Sequence, residues 1–125
     1  HHFKGEAEAR VRNGAVHDLM RAHEIATVGP VLDYLAARND LRLIGPRRAE
    51  ARAPTVAVVL DRDPEPVAED LGRNGIACWA GNFYGVRPLQ AMGVDPDIGV
   101  LRLSLAHYTS AADVTRLMSA LDRVL

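Results

Sequence analysis

An α+β fold is predicted for this chain: a two-layer sandwich in which a small mixed sheet of about four strands carries helices packed on one face. Three observations predict it. Residues 100–105 alternate, with Leu101, Leu103 and Leu105 on one face and Val100, Arg102 and Ser104 on the other. Thr55-Val56-Ala57-Val58-Val59-Leu60 is β-branched and almost continuously apolar, the pattern of a central strand. Val114, Leu117, Met118, Leu121 and Val124 recur at helical spacing, so the last segment has an apolar stripe to lay on a sheet.

The elements follow in order. Residues 1–12 begin with His1-His2 and read as a tag remnant and linker, which leaves 13–125 as one domain. Residues 13–38 are helical in pattern, with Val16, Leu19, Met20 and His23 at core spacing, followed by Val28, Leu32 and Leu35. Gly29-Pro30 interrupts them. A proline inside a helix removes a hydrogen bond and crowds the preceding turn, so one kinked helix or two short ones are expected. Asn39-Asp40 ends the segment, and Leu41–Ile44 is a short strand stopped by Gly45-Pro46.

After a polar loop and the Thr55 strand, Asp63-Pro64 opens a helix, with aspartate as N-cap and proline in the first helical position. Val67, Ala68 and Leu71 form its buried face, and Asn74-Gly75 is a left-handed stop. Residues 76–80 return as a strand, 81–85 form a loop, and 86–92 a short helix. The strand at 100–105 turns through His107-Tyr108-Thr109-Ser110 into the last helix, with Ser110 or Thr109 placed as its cap and Asp113 in its first turn. The strands beginning at Thr55 and Ile76, joined by a helix, are expected to pair in parallel, and the others to run antiparallel.

Composition excludes several classes of function. The chain has 125 residues, 48% apolar and 25% charged, enough for one core without a staple. Fifteen basic against sixteen acidic residues give a net charge of −1, so no bulk field recruits nucleic acid or an anionic membrane. Aromatic residues are only 5%, and no basic stripe interleaves with them as single-strand binding requires. No apolar run is long enough to span a bilayer, and a cytoplasmic location is expected. The single cysteine, Cys78, forbids an intrachain disulfide. His17 and His23 are off the i, i+4 spacing of a helical metal site, no zinc spacing occurs, and no metal is expected.

Arg102 is the first candidate for chemistry. A guanidinium in mid-strand either faces water, bridging to an acidic neighbour, or is held for an anion. The loop Gly81-Asn82-Phe83-Tyr84-Gly85 is the second, two glycines flanking polar and aromatic side chains in a shape suited to folding over a ligand. Asn82 and Tyr84 are its candidate contacts. His107 follows the strand on a bend, where it faces either solvent or a neighbouring domain, whereas Tyr108 is expected to pack at the start of the helix. Cys78, inside an expected strand, reads as buried and inert.

Residues 99–125 resemble the end of class V aminotransferases, the pyridoxal-phosphate family that includes cysteine desulfurases. The resemblance takes in Trp79-Ala80-Gly81-Asn82-Phe83-Tyr84 and His107-Tyr108-Thr109. It extends back through Pro54-Thr55-Val56-Ala57, Leu41-Arg42-Leu43-Ile44-Gly45-Pro46 and Ala22-His23-Glu24 to about Val16. It implies the small C-terminal domain of a fold-type-I enzyme whose N-terminal domain holds pyridoxal 5′-phosphate on a lysine, acts on an amino acid and forms a homodimer. By the same resemblance Arg102 grips the substrate α-carboxylate, with Asn82, Tyr84 and His107 around it, and the loop at 81–85 lines the mouth of the site. Desulfurases carry their nucleophilic cysteine on that loop and this chain does not, which departs from the pattern for persulfide chemistry. Lys4, the only lysine, is not followed by the family's lysine loop, so neither bound cofactor nor turnover is expected of these residues alone. The alternative is a free-standing, non-catalytic module that binds a small molecule or a protein. A domain separated from a larger enzyme is expected to bare a sizeable apolar patch where it met the rest, and a native module only a defined groove.

Overall fold

A computed structural model describes residues 9–125. The reading of the first residues as tag and linker therefore lies outside the described residues up to position 8; from Ala9 the chain is already helical. Helix α1 spans Ala9–Ala36, followed by strand β1 (Leu41–Ile44), a single 3-10 turn at Ala49–Ala51 and strand β2 (Thr55–Leu60). Helix α2 (Pro64–Arg73), strand β3 (Trp79–Gly81), helix α3 (Val86–Ala91), strand β4 (Val100–Ser104) and helix α4 (Ala111–Val124) complete the domain.

The four strands form one sheet in the order β1-β2-β4-β3. Every neighbouring pair is antiparallel, so the sheet is not mixed. β2 and β3 do run in the same direction, but β4 lies between them, and each pairs with β4 rather than with the other. The expected parallel pair thus fails on adjacency. The last strand returns to fill the gap that the α2 crossover leaves open. β3 is also shorter than expected, because Ile76, Ala77 and Cys78 approach the sheet without joining its ladder.

The alternation in β4 and β2 sorts the core into two parts. Val56, Val58, Leu60, Leu101, Leu103 and Leu105 face α1, α2 and α4 and form the main core with Val28, Val31, Leu32, Leu35, Leu71, Val114, Leu117 and Leu121. Val100, Ala57 and Val59 face the other way and meet Leu89, Val94 and Phe83, so the short α3 and its flanking loops cover part of the second face. Helices therefore do not keep to one side. The near-continuous apolar run of β2 has this as its cause, since a strand covered on both faces needs no polar alternation.

Helix α1 is one continuous helix with Pro30 inside it. Pro30 and Ala26, four residues earlier, are both exposed, so water can take the carbonyl bond that proline cannot supply. Its buried residues are Thr27, Val28, Val31, Leu32 and Leu35. The expected core positions Val16, Leu19 and Met20 are instead 38%, 49% and 38% exposed. The first half of α1 runs past the sheet with its apolar stripe uncovered. The helix caps follow the sequence. Asp63 accepts from the Glu65 N–H at 2.9 Å, Gly75 takes φ +77° after α2, and Ser110 and Asp113 cap one another reciprocally at the start of α4.

Candidate functional site

Arg102 sits in the middle of β4, opposite Ala57 of β2 on one side and Trp79 of β3 on the other. Its parity places it on the face away from α1, α2 and α4, beyond the part that α3 covers. The side chain is half-buried. Among the described residues its one recorded partner is the ring of Phe83, with the guanidinium carbon 3.8 Å from the ring centroid. No carboxylate comes within ion-pair distance of it among the described residues, so the intradomain bridge that would explain a strand arginine is not formed. A shallow cleft of about 230 Å³ opens beside it, lined by Arg102, Ser104, Ala77, Cys78 and Trp79. Trp79 stands 70% exposed at its rim.

The loop after β3 is a tight turn. The Gly85 N–H donates to the Asn82 carbonyl at 2.7 Å, and Phe83 and Tyr84 between them take φ +52° and +62°. Two successive left-handed residues define the type I′ turn, which asparagine and glycine ordinarily occupy. Side chains with a Cβ pay roughly 1–2 kcal/mol each for that conformation. Asn82 holds the turn at both ends of its amide: Oδ1 accepts from the Tyr84 N–H at 3.0 Å, and Nδ2 donates to the Pro96 carbonyl at 3.2 Å. The turn is backed by a close approach of two glycines. Gly99, at φ +78°, lies so near Gly81 that a Cβ there would fall 2.6 Å from the Gly81 carbonyl oxygen.

The four candidate residues therefore differ in place. Arg102 lies at the centre. Asn82 spends its amide on the turn, a structural part rather than a free contact. Tyr84 projects from the turn's tip, fully exposed. Because Gly81 pairs with Val100, the turn lies at the start of β4. His107 lies past the other end of that strand, exposed, edge-on to the equally exposed Tyr108 with ring centroids 5.2 Å apart. Arg102 and the turn are thus brought together, through Phe83, whereas His107 stands apart and Tyr108 does not pack inward. The Thr109 carbonyl accepts instead from His23 of α1, Nε2 to oxygen 2.8 Å, which ties α1 to the bend. Phe83 and Trp79 are the residues that the sequence did not single out. Nothing in the linear pattern tells which of two adjacent aromatics in a five-residue loop turns back over the strand.

Cys78 is half-buried just before β3 rather than inside it. Its Sγ lies 3.7 Å from the Ala68 carbonyl, and burial pushes the thiol above its usual pKa. A larger cleft, of about 400 Å³, lies beyond the end of β2 between Asp61, Asp63, Glu65 and Asp97, with Arg62 at its edge. That excess of negative charge disfavours a carboxylate ligand there. Among the described residues no group of three or more His, Cys, Asp or Glu side chains is placed to hold a metal ion, and no helix is long and apolar enough to cross a membrane.

Comparison with known proteins places most of the chain. The family model described as aminotransferase class-V matches residues 9–117. A probable cysteine desulfurase of Pseudomonas aeruginosa is 38% identical over 104 residues, which cover 83% of this chain and 24% of that protein. A probable cysteine desulfurase of Streptomyces coelicolor is 32% identical over 108 residues, covering 86% and 25%. The crystal structure of the cysteine desulfurase CsdA from Escherichia coli superposes with a TM-score of 0.70 at 26% identity, over 84% of this chain and 25% of that one. The chain thus spans about a quarter of the length of the relatives it matches.

Proposed function

Because the chain belongs to the class V aminotransferase family, we propose that it is the small C-terminal domain of a pyridoxal-phosphate-dependent, amino-acid-processing enzyme, in which Arg102 binds the substrate carboxylate. One observation carries the reading. A half-buried guanidinium with no anionic partner among the described residues stands beside an open cleft, on the strand that the family likeness covers. A guanidinium kept from full solvation and left without a counter-charge is a site for an anion. Its planar fork matches a carboxylate through two parallel hydrogen bonds.

The uncovered stripe of Val16, Leu19 and Met20 on α1 supports a domain that packs against more protein. In this reading that partner is the N-terminal domain of the same enzyme, and the parent is a homodimer located in the cytoplasm. The turn carrying Tyr84 helps to close the site. His107 belongs to the surface that meets the larger domain rather than to the carboxylate pocket.

The cofactor itself does not fit the described residues. Its aldehyde is held by a primary amine, and the sole lysine, Lys4, lies outside them. No step through the cofactor is therefore assigned to this chain, and its part is to bind and orient a substrate. Nor does the turn supply a thiol: Tyr84 occupies its tip, and Cys78 is half-buried with a raised pKa. The reading therefore favours chemistry other than persulfide formation by this domain.

Titration of the chain with sodium propanoate, followed by the backbone amide NMR signals of Trp79 and Ser104 beside the cleft, tests the proposal. A saturable response that Arg102→Ala removes is expected. Equal propanoate response in both proteins refutes the carboxylate role. A free-standing, non-catalytic binding module is the second reading, favoured by the well-closed main core beneath the sheet.

A further inference from the structure

We infer that Phe83 is the positioning residue for Arg102, its ring holding the guanidinium by one face so that the N–H edge stays open to the ligand. The inference rests on the carboxylate reading above and adds to it the residue that orients the group. Arg102 can use two surfaces. Its π-face attracts an aromatic ring, and its five N–H donors lie around the rim of the same plane. At 3.8 Å from the ring centroid, the guanidinium carbon is in van der Waals contact with the ring. So short a distance fits face-on stacking, and none of the Arg102 N–H groups has a hydrogen-bond or ion-pair partner among the described residues. Stacking and bidentate carboxylate binding do not compete for the same atoms.

The backbone around Phe83 is consistent with that single task. Phe83 also packs against the cluster of Leu89, Val94 and Val100, which limits the freedom of the ring. Its φ of +52° costs energy that an Asn-Gly turn would avoid, and an aromatic side chain at this position recovers it only by what the ring touches. Asn82, bonded to both Tyr84 and Pro96, stops the turn from relaxing to an ordinary conformation. The opposed pair Gly81 and Gly99 leaves the turn close against the sheet. An arginine side chain otherwise loses considerable rotamer entropy on binding an anion. A guanidinium already stacked loses less of it.

The test uses the 125-residue chain with Phe83→Leu, which removes the π-face but keeps bulk in the cluster, and Phe83→Tyr, which keeps the π-face. Two readouts are taken: the heteronuclear NOE of the Arg102 Nε–H without ligand, and the affinity for propanoate. The NOE of exposed Arg87 serves as the mobile reference. In the wild type and in Phe83→Tyr, Arg102 is expected to be more ordered than Arg87. In Phe83→Leu it is expected to lose that order and to bind propanoate about two- to fivefold more weakly. The inference is overturned if Phe83→Leu keeps both the order and the affinity, or if wild-type Arg102 is as mobile as Arg87. The second criterion needs no variant, so the inference stays refutable even if Phe83→Leu does not fold. An Arg102 that is ordered and loosened by Phe83→Leu, but indifferent to propanoate in the wild type, upholds the stacking and overturns the carboxylate reading instead.

Discussion

Replacing Gly99 by alanine puts the support of the turn to a quantitative test. Gly99 is buried at the start of β4 with φ +78°, and its added Cβ would fall 2.6 Å from the Gly81 carbonyl oxygen and 2.7 Å from the Gly81 Cα. Ordinary contacts at such a site begin near 3.4 Å, so backbone must move, and neither partner has a flexible side chain to yield. The left-handed conformation costs alanine roughly 1–2 kcal/mol. The overlap costs a further 1–3 kcal/mol or so, the usual range for over-packing. Against these, alanine narrows the unfolded ensemble by about 0.4–1 kcal/mol. The net expectation is a loss of about 1–4.5 kcal/mol. With a urea slope of about 2 kcal/mol per molar, the unfolding midpoint falls by about 0.5–2 M. Far-UV circular dichroism is the suitable probe, because Trp79, the sole tryptophan, is exposed already in the folded protein. Gly72→Ala is the control. It sits in α2 at an ordinary helical φ with nothing within 4 Å of its added Cβ, and is expected to gain about 0.5 kcal/mol. A Gly99→Ala midpoint equal to or above that of wild type would refute the close approach.

Other expectations concern α4 and the cysteine. Ser110→Ala removes the side-chain half of the capping box and is expected to lower stability by about 1 kcal/mol, read by thermal unfolding. Bonds from the Ser110 hydroxyl and N–H, and the Arg116 guanidinium, hold the Asp113 carboxyl below its ordinary pKa. Its contribution to stability is therefore complete above the unfolded value of about 4 and lost as pH falls through the depressed folded value. The stability gap between wild type and Asp113→Asn should close across that acid window in urea melts, and a gap independent of pH would contradict the cap. Cys78, half-buried with its thiol pKa raised, should react with a disulfide reagent at pH 8 several-fold more slowly in the native chain than in urea. Equal rates would show it to be open.

Much of the fold is legible in the linear pattern because local chemistry specifies it. Asp63-Pro64, Asn74-Gly75 and Ser110 with Asp113 each mark a helix end by a side chain or a backbone preference that acts within a few residues. The alternation of residues 100–105 likewise assigns Leu101 and Leu103 to the main core. What the pattern does not hold is adjacency. That β4 inserts between β2 and β3 depends on contacts more than forty residues apart between Val58 and Leu101, which leave no periodic trace. The helix α1 shows a second limit. Val16, Leu19 and Met20 repeat like core residues, yet they stand 38%, 49% and 38% exposed rather than joining the core. Helical spacing records that a face is meant to be buried, not which element buries it. At the site, Arg102 stands out as a charge in an apolar strand, but its partner Phe83 comes from a turn whose left-handed backbone no residue preference announces.

Whether this domain lends Arg102 to a larger pyridoxal-phosphate enzyme is best decided by isolating the native gene product from its source. Its intact mass and bound cofactor are the quantities to measure. The expected product is several times heavier than 125 residues, carries pyridoxal phosphate and loses its visible absorbance band on borohydride reduction. A product of this size, free of cofactor, would contradict that role.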